Sequence, residues 1–391
     1  MTQSGHGAVP YRTSLLPYGF GRGHSAFGQC LLCANSGHLG VTLLIIGTVN
    51  RQLSIVTPVG WTYEDPKGDV MLRVVFVGAL PASFAGRVGA LLGVGSNIAI
   101  TDEAGVAAFM PEAEVLVTMV FTATMGAAAS RLRLVQVPGA GLDRIDRLAL
   151  PSGVALANVH GHETGIAEYV IGAMLALSRN FTQLDTNLRS GRWNSQWVPG
   201  VPPPPAWPEL AGRTLAILGY GRIGQAVARR ARVFGMHVVA LRRDTAQADS
   251  NAVIRGPEAF GELLAQADHV VITLPLTPAT RGLIGEREIR AMKPGAFLIN
   301  VARAEIVDEQ ALYRALQERQ IAGAALDVWY RYPTSSDPVL ASTCAFHELP
   351  NVLMTPHVSG WTDGMLEARA KLIAENIQRV ARDEAPLNCV P

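Results

Sequence analysis

The sequence is poor in cysteine: its 391 residues include only four, Cys30, Cys33, Cys344 and Cys389. So few thiols exclude a disulfide-stapled scaffold and favour a reducing compartment, so we expect a cytoplasmic protein. Cys30 and Cys33 form a CxxC pair, but no second Cys or His pair follows at zinc-site spacing. We therefore interpret them as incidental thiols and expect no metal site.

An excess of one charge is also missing, since 33 Lys and Arg face 32 Asp and Glu. This balance excludes a bulk attraction to nucleic acid or to an anionic membrane. The longest apolar run, 39–49, is interrupted by Gly and Thr and is far shorter than the roughly 20 residues that span a bilayer. We therefore expect neither a nucleic-acid partner nor a membrane partner.

Acidic residues are absent from positions 1–63, where Gly, Ser and Pro are scattered without a helix or strand period. An organelle transit peptide is one interpretation, although the Gly and Pro content makes a poor amphipathic helix. The alternative is that the protein truly starts at Met71, because the residues from Met71 onward have the pattern of a first strand. We expect residues 1–70 to be an N-terminal extension that is unstructured or spurious.

From Met71 onward, short β-branched runs alternate with amphipathic stretches. This alternation predicts an α/β fold with two Rossmann-like or flavodoxin-like domains, each built on a parallel sheet. Residues 199–208 are rich in proline and predict an extended connector. The predicted strands are 74–77, 98–101, 115–120, 134–138 and 155–158, and then 214–218, 238–241, 270–274, 297–300 and 324–327.

A glycine-rich loop lies between the predicted strand 214–218 and a predicted helix, 225–234. It reads Gly219, Tyr220, Gly221, Arg222, Ile223 and Gly224, which is a GxGxxG pattern. The glycines allow a tight turn, a close approach of backbone to pyrophosphate, and packing of helix on strand. The helix N-terminus then offers N–H donors to phosphate, so the loop predicts a dinucleotide site.

The residue that follows the next strand bears on the choice between NAD and NADP. A carboxylate at this point would accept the ribose 2′-OH of NAD, but the sequence has Arg242 and Arg243. A guanidinium pairs with a 2′-phosphate, which favours NADP. NAD remains the alternative, with Asp244 in the acidic role.

Several ordered motifs resemble the D-isomer-specific 2-hydroxyacid dehydrogenase family, which includes glyoxylate/hydroxypyruvate reductases, D-3-phosphoglycerate dehydrogenases and formate dehydrogenases. The similarity runs from about residue 71 to residue 382. Besides the glycine-rich loop, it rests on the motifs at 139–143, 167–168, 274–277, 292–296, 300–303, 326–329 and 355–360.

The resemblance implies a substrate domain, 71–163 with 356–391, and an inserted dinucleotide-binding domain, 164–355. It places the active site in the cleft between them and implies a homodimer. It assigns a carboxylate-binding catalytic Arg to Arg303 and a proton donor and acceptor to His357. It implies cofactor contacts by Leu274, Pro275, Thr280, Val301, Ala302, Asp327, His357, Ser359 and Gly360.

Two departures from the family pattern concern the substrate. The Glu that usually bonds the catalytic His is replaced by Tyr332, so His357 loses a partner that would hold it protonated, and we expect an acid-shifted optimum for reduction. His162 stands where phosphoglycerate and formate dehydrogenases have an Asn. His162 and Glu163 do not form an HExxH zinc motif, since residue 166 is Ile. We expect substrate contacts from Phe121, Gly139, His162 and Tyr332, with Trp361 a further candidate.

These features predict an NAD(P)-dependent oxidoreductase that reduces a small 2-keto acid to its D-2-hydroxy acid. One alternative is a formate-dehydrogenase-like enzyme, which the missing Asn disfavours. Another is a non-catalytic, cofactor-sensing protein of the corepressor type, which Arg303 and His357 disfavour. The identity of the substrate side chain is not readable from these motifs.

Overall fold

The computed structural model describes residues 72–93, 97–246 and 248–390. The expectations for residues 1–70, including the CxxC pair, lie outside these ranges. Within them, no helix is long and apolar enough to cross a membrane.

Five strands of the described chain form the first sheet, in the order β2-β1-β3-β4-β5 and all parallel. This is the flavodoxin-like strand order. Helices α1 (Ala79–Leu92) and α2 (Ala123–Ala128) accompany it. The strands are β1 (Arg73–Val77), β2 (Asn97–Thr101), β3 (Val115–Thr118), β4 (Leu134–Val137) and β5 (Ala155–Asn158).

The second sheet has seven parallel strands in the described residues, in the order β12-β11-β10-β9-β6-β7-β8. The strands are β6 (Thr214–Leu218), β7 (His237–Leu241), β8 (Val253–Arg255), β9 (His269–Ile272), β10 (Phe297–Asn300), β11 (Gly323–Leu326) and β12 (Val352–Met354). The helices are α3 (Glu163–Arg179), α4 (Phe181–Arg189), α5 (Arg222–Val233), α6 (Phe260–Gln266), α7 (Glu286–Ala291) and α8 (Glu309–Gln317).

Two helices mark the points where the chain passes from one sheet to the other. Helix α3 buries Val170 and Met174 in the core of the second sheet, against α5. The last helix, α9 (Asp363–Ala381), returns to the first sheet and buries Ile373 and Ile377 there. The chain therefore leaves the first sheet after β5, builds the second, and comes back, so it passes twice between the two units.

The predicted fold class, α/β with two parallel sheets, is confirmed. Each predicted strand is present, with ends shifted by no more than two residues. Strands β8 and β12 were not predicted, because each has three residues and is too short to show a period.

A buried amide joins α9 to the first sheet. Asn376 is fully buried; its Nδ2 donates to Gln136 Oε1 (2.7 Å) and to the carbonyl oxygen of Leu387 (3.1 Å). Its Oδ1 accepts from the backbone N–H of Leu387 (2.7 Å). The amide thus satisfies polar groups of a strand and of the C-terminal segment at once.

We predict that Asn376→Leu lowers the free energy of unfolding by about 3 kcal/mol, because the buried Gln136 amide oxygen and two backbone groups of Leu387 lose their partner. Denaturant unfolding measures this. Lys371→Leu, at an exposed position of the same helix, is the control and is expected to change stability by less than about 0.5 kcal/mol. Equal effects of the two substitutions would contradict the prediction.

Candidate active site

The glycine-rich loop joins β6 to α5. Gly219 has φ +102°, and a Cβ at Gly224 would overlap the carbonyl oxygen of Gly219, so these two positions need glycine. Gly221 has open space where a Cβ would point, and it caps α5 without any side-chain hydrogen bond. The first N–H groups of α5 therefore face an open cradle, which fits the pyrophosphate of a dinucleotide.

The other predicted cofactor residues lie around this loop in different states of burial. Arg222 and Arg243 are exposed, whereas the side chain of Tyr220 is buried in the core beneath the loop. The Thr280 hydroxyl donates to the carbonyl oxygen of Pro275 (2.7 Å), so it holds the loop that follows Leu274. The glycine-rich loop and the end of β9 thus lie next to each other, as a Cβ at Gly219 would lie 3.0 Å from the Leu274 nitrogen.

The end of β7 carries the arginines that bear on cofactor choice. Arg242 and Arg243 directly follow β7, and the backbone N–H of Arg242 donates to the Arg255 carbonyl oxygen (3.0 Å). Asp244 Oδ1 accepts from the backbone N–H of Ala246 (3.0 Å). One oxygen of Asp244, the carboxylate that would bind the ribose 2′-OH of NAD, is therefore hydrogen-bonded within its own loop.

Arg303 sits just beyond β10 on a turn that Asn300 stabilises. Asn300 is buried; its Oδ1 accepts from the Ala302 N–H and its Nδ2 donates to the Arg303 carbonyl oxygen, both at 3.0 Å. Val301 and Ala302 are buried beneath this turn. The turn directs the Arg303 side chain toward the first-sheet unit.

The Arg303 guanidinium crosses the cleft. Its Nε and Nη2 donate to Asp143 Oδ2 (3.1 and 2.9 Å), and its Nη1 donates to the Ala302 carbonyl oxygen (2.8 Å). A Cβ at Gly141 would overlap Nη2, so glycine is what lets the cation lie there. Arg303 thus already binds a carboxylate at the entrance between the two units.

A buried carboxylate organises the loop that carries His357. Asp327 is fully buried; its Oδ1 accepts from Thr355 Oγ1 (2.6 Å) and from the Val358 N–H (2.9 Å). Its Oδ2 accepts from the N–H of Ser359 (2.9 Å), which is itself buried. His357, between these anchors, has φ +57°, a conformation that costs energy outside glycine. Asp327 offsets that cost, in addition to the cofactor contact that the resemblance implies.

Two aromatic residues support the same loop from the second-sheet core. The Tyr169 hydroxyl lies 2.7 Å from Thr355 Oγ1, and Trp329 Nε1 donates to the Thr355 carbonyl oxygen (2.7 Å). Burial raises the pKa of Tyr169 to about 12, so its phenol stays protonated and donates to Thr355. Thr355 then donates to Asp327, which gives one directed chain of hydrogen bonds.

The imidazole of His357 is held by Tyr332. The Tyr332 hydroxyl lies 2.8 Å from His357 Nδ1, and the backbone N–H of Trp329 donates to that hydroxyl (3.4 Å). The side chains of Tyr332 and His357 are both exposed in part. The surrounding protein nevertheless lowers the pKa of His357 by desolvation. Asp327 raises the pKa and Arg303 lowers it further. The neutral ring is therefore favoured.

The remaining predicted substrate residues divide into two groups. His162, at the start of α3, is buried and lies against Gly360, while Gly139 directly follows β4 and Pro138. Phe121, by contrast, is 1% exposed and packs in the core of the first sheet, so its expected place on the cleft wall is corrected. It belongs to the buried apolar cluster that also holds Met125 and Ile145, and it pairs with Ile145 in a parallel β-bridge.

Sequence reasoning gave no role to Asp143, Asn300 or Arg369. Asp143 and Asn300 lie inside motifs that were recognised, so their polarity within those motifs was an available signal. Arg369 carried no signal, because a basic residue in an amphipathic helix normally faces solvent. Within the described ranges, no three His, Cys, Asp or Glu residues cluster as metal ligands would.

Comparison with known proteins identifies the family. The family model described as "D-isomer specific 2-hydroxyacid dehydrogenase, NAD binding domain" matches residues 171–359. The glyoxylate reductase of Thermococcus gammatolerans is 36% identical over 263 residues, which cover 66% of this chain and 76% of that protein. The chain belongs to the D-isomer specific 2-hydroxyacid dehydrogenase family. It is thus an NAD(P)-dependent oxidoreductase acting on CH–OH groups, as predicted.

Further relatives support the same family. The D-3-phosphoglycerate dehydrogenase of Methanocaldococcus jannaschii is 35% identical over 268 residues, but the match spans only 48% of that protein and 67% of this chain. A D-isomer specific 2-hydroxyacid dehydrogenase from Xanthobacter autotrophicus Py2, solved with NADPH and MES, is 28% identical. It has a TM-score of 0.67, and the match covers 82% of this chain and 98% of that one.

We predict that Asp327→Asn lowers kcat at least about tenfold and the free energy of unfolding by about 1–3 kcal/mol. An amide has one acceptor oxygen, and its NH₂ would oppose an N–H or O–H donor that now points at Asp327. Glu258→Gln, the same exchange at an exposed position, is the control. Unchanged turnover and stability in Asp327→Asn would contradict the role given to this carboxylate.

Proposed function

We propose that this protein reduces a small 2-keto acid to the D-2-hydroxy acid, using Arg303 and His357. The carrying observation is that β10, β11 and β12 are parallel neighbours, so their carboxyl ends share one edge of the sheet. Arg303, Asp327 and His357 follow these three ends, each within three residues of the strand. Ligands of open α/β sheets bind at such an edge.

In this proposal Arg303 binds the substrate carboxylate. Its guanidinium already donates twice to the Asp143 carboxylate, which shows that an anion fits this position. A keto acid entering the cleft would compete with Asp143 for the same donors. Once bound, its adjacent carbonyl would be polarised by the same cation.

His357 would supply the proton to the carbonyl oxygen, and NAD(P)H, when bound, supplies the hydride. Tyr332 holds Nδ1 (2.8 Å), and Nε2 makes no hydrogen bond to any described residue, so Nε2 is the nitrogen free to act. The Tyr332 hydroxyl can accept from Nδ1–H when the ring is charged and donate to Nδ1 when it is neutral. It can therefore orient the ring in both protonation states.

The cofactor we propose is NADP in preference to NAD. The support is Arg242 and Arg243 at the end of β7, together with the engagement of Asp244 in its own loop. The Xanthobacter relative was solved with NADPH, which is consistent with this choice.

Domain boundaries and assembly are also part of the proposal. We place the substrate domain at 71–163 with 356–391 and the dinucleotide domain at 164–355. The large apolar side chains exposed on and after α4 support a homodimer that covers them. They are Phe181 (51% exposed), Leu188 (53%), Trp193 (65%) and Trp197 (77%). The scarcity of cysteine supports a cytoplasmic location.

A substrate panel run with both NADH and NADPH tests this function. We predict loss of NADPH absorbance with at least one of glyoxylate, hydroxypyruvate and phenylpyruvate. We further predict that Arg242→Asp shifts the preference toward NADH, since a carboxylate repels a 2′-phosphate. His357→Gln is expected to lower kcat about 10²- to 10⁴-fold.

Two outcomes of the panel would overturn the proposal. Tight cofactor binding without turnover of any keto acid would favour the corepressor-type alternative. Oxidation of formate in place of keto-acid reduction would favour the formate-dehydrogenase-like alternative.

The pH dependence provides a second test. Reduction needs protonated His357, whose pKa is lowered by desolvation, so we predict a kcat/KM that is highest in acid and falls as pH rises through that lowered pKa. Tyr332→Glu places a carboxylate beside the ring and is expected to move this limb up by about one pH unit.

Tyr332→Phe is the matched control, since it removes the hydroxyl without adding charge. It is expected to lower kcat without the upward shift. A wild-type kcat/KM that falls only above about pH 7.5 would contradict the assignment of this titration to His357. The same pH dependence in the Tyr332→Glu and Tyr332→Phe variants would contradict it too.

A further inference from the structure

A buried arginine of α9 has no carboxylate partner. Arg369 is only 9% exposed, and no carboxylate of the described residues forms an ion pair with it. Its Nη1 donates to the Pro138 carbonyl oxygen (3.0 Å) and its Nη2 lies 2.8 Å from His162 Nδ1, while Nε makes no hydrogen bond.

This arrangement is costly for the fold. Taking a guanidinium out of water costs several kcal/mol unless an opposite charge compensates. Burial lowers the pKa of Arg369 to about 10, and Glu163, the acidic group that opposes this effect, acts only through space. Glu163 instead accepts from the Gly161 N–H through Oε2 (2.8 Å). An apolar side chain would fill the space without this cost.

The arginine does determine which nitrogen of His162 carries the proton. A guanidinium has only donors, so Nδ1 of His162 must accept and the proton of the neutral ring must reside on Nε2. Desolvation and the charges of Arg369 and Arg303 lower the pKa of His162 to about 4, against a raising effect of Glu163, so the ring is neutral at working pH. Nε2–H makes no hydrogen bond to the described part of the chain.

His162 also lies where a donor is of use. It precedes α3, its Cβ lies against Gly360 in the loop that follows His357, and Arg303 is near enough to influence its charge. Pro138, the other partner of Arg369, directly precedes Gly139 at the end of β4. Arg369 therefore ties together two segments that border the cleft on the side of the first sheet.

We propose that Arg369 is a positioning residue: it holds His162 as the Nε2–H tautomer and so gives the cleft a neutral donor for an oxygen of the keto acid. This proposal rests on the proposed function. It assigns Arg369 an effect on substrate binding that is exerted only through His162.

A double-mutant cycle separates this role from a purely structural one. The variants are Arg369→Met, which keeps length and removes every donor, His162→Asn, whose amide N–H needs no tautomer to be fixed, and the two combined. We expect Arg369→Met to raise KM for the keto acid about tenfold, with KM for NADPH unchanged. In the His162→Asn background the same substitution is expected to raise KM by less than about twofold. An equal cost in both backgrounds would overturn the proposal.

Nitrogen-15 NMR of labelled histidine tests the tautomer without turnover. Wild-type protein at neutral pH should show His162, identified by its absence in His162→Asn, with the proton on Nε2, and Arg369→Met should show a mixture. A proton on Nδ1 or a charged ring in the wild type would overturn the proposal even if Arg369→Met does not fold. If wild-type protein reduces no keto acid while the Nε2–H tautomer is observed, the proposed function fails, and with it the substrate role of His162, but not the effect of Arg369 on the ring.

Discussion

The candidate site depends on the parallel order of β10, β11 and β12, which brings three chain segments to one edge of the second sheet. Arg303, Asp327 and His357 are far apart in sequence and become neighbours only because each follows the carboxyl end of one of these strands. A single shift of register would move Asp327 away from the N–H groups of Val358 and Ser359. The geometry of the site is therefore a consequence of sheet pairing rather than of any local loop.

The two units are joined across this edge by polar contacts rather than by a shared apolar core. Arg303 reaches from the second-sheet unit to Asp143 of the first, and Gly141 makes room for it. An ion pair that is one-third to one-half exposed contributes little to stability in water. In the proposed function, the carboxylate of a substrate would therefore replace that of Asp143 at small cost.

Both departures from the family pattern replace a residue by one that is neutral near neutral pH. Tyr332 replaces a carboxylate beside His357, and His162 replaces an amide at the start of α3. Desolvation lowers the pKa of both histidines; Arg303 lowers both further, and Arg369 lowers that of His162.

The sequence alone predicted the α/β class and the strand–loop–helix at 214–233, because these depend on local periodicity and on short motifs. It supplied Arg303 and His357 as candidates through the family resemblance. Only the tertiary structure decided the rest. Phe121 packs in the first-sheet core beside Ile145, Asp327 holds a loop about thirty residues away, and Arg369 faces inward from a helix whose pattern predicts an exposed side. Each of these outcomes follows from contacts between segments that are distant in sequence. The periodicity of one segment does not specify which distant segment packs against it.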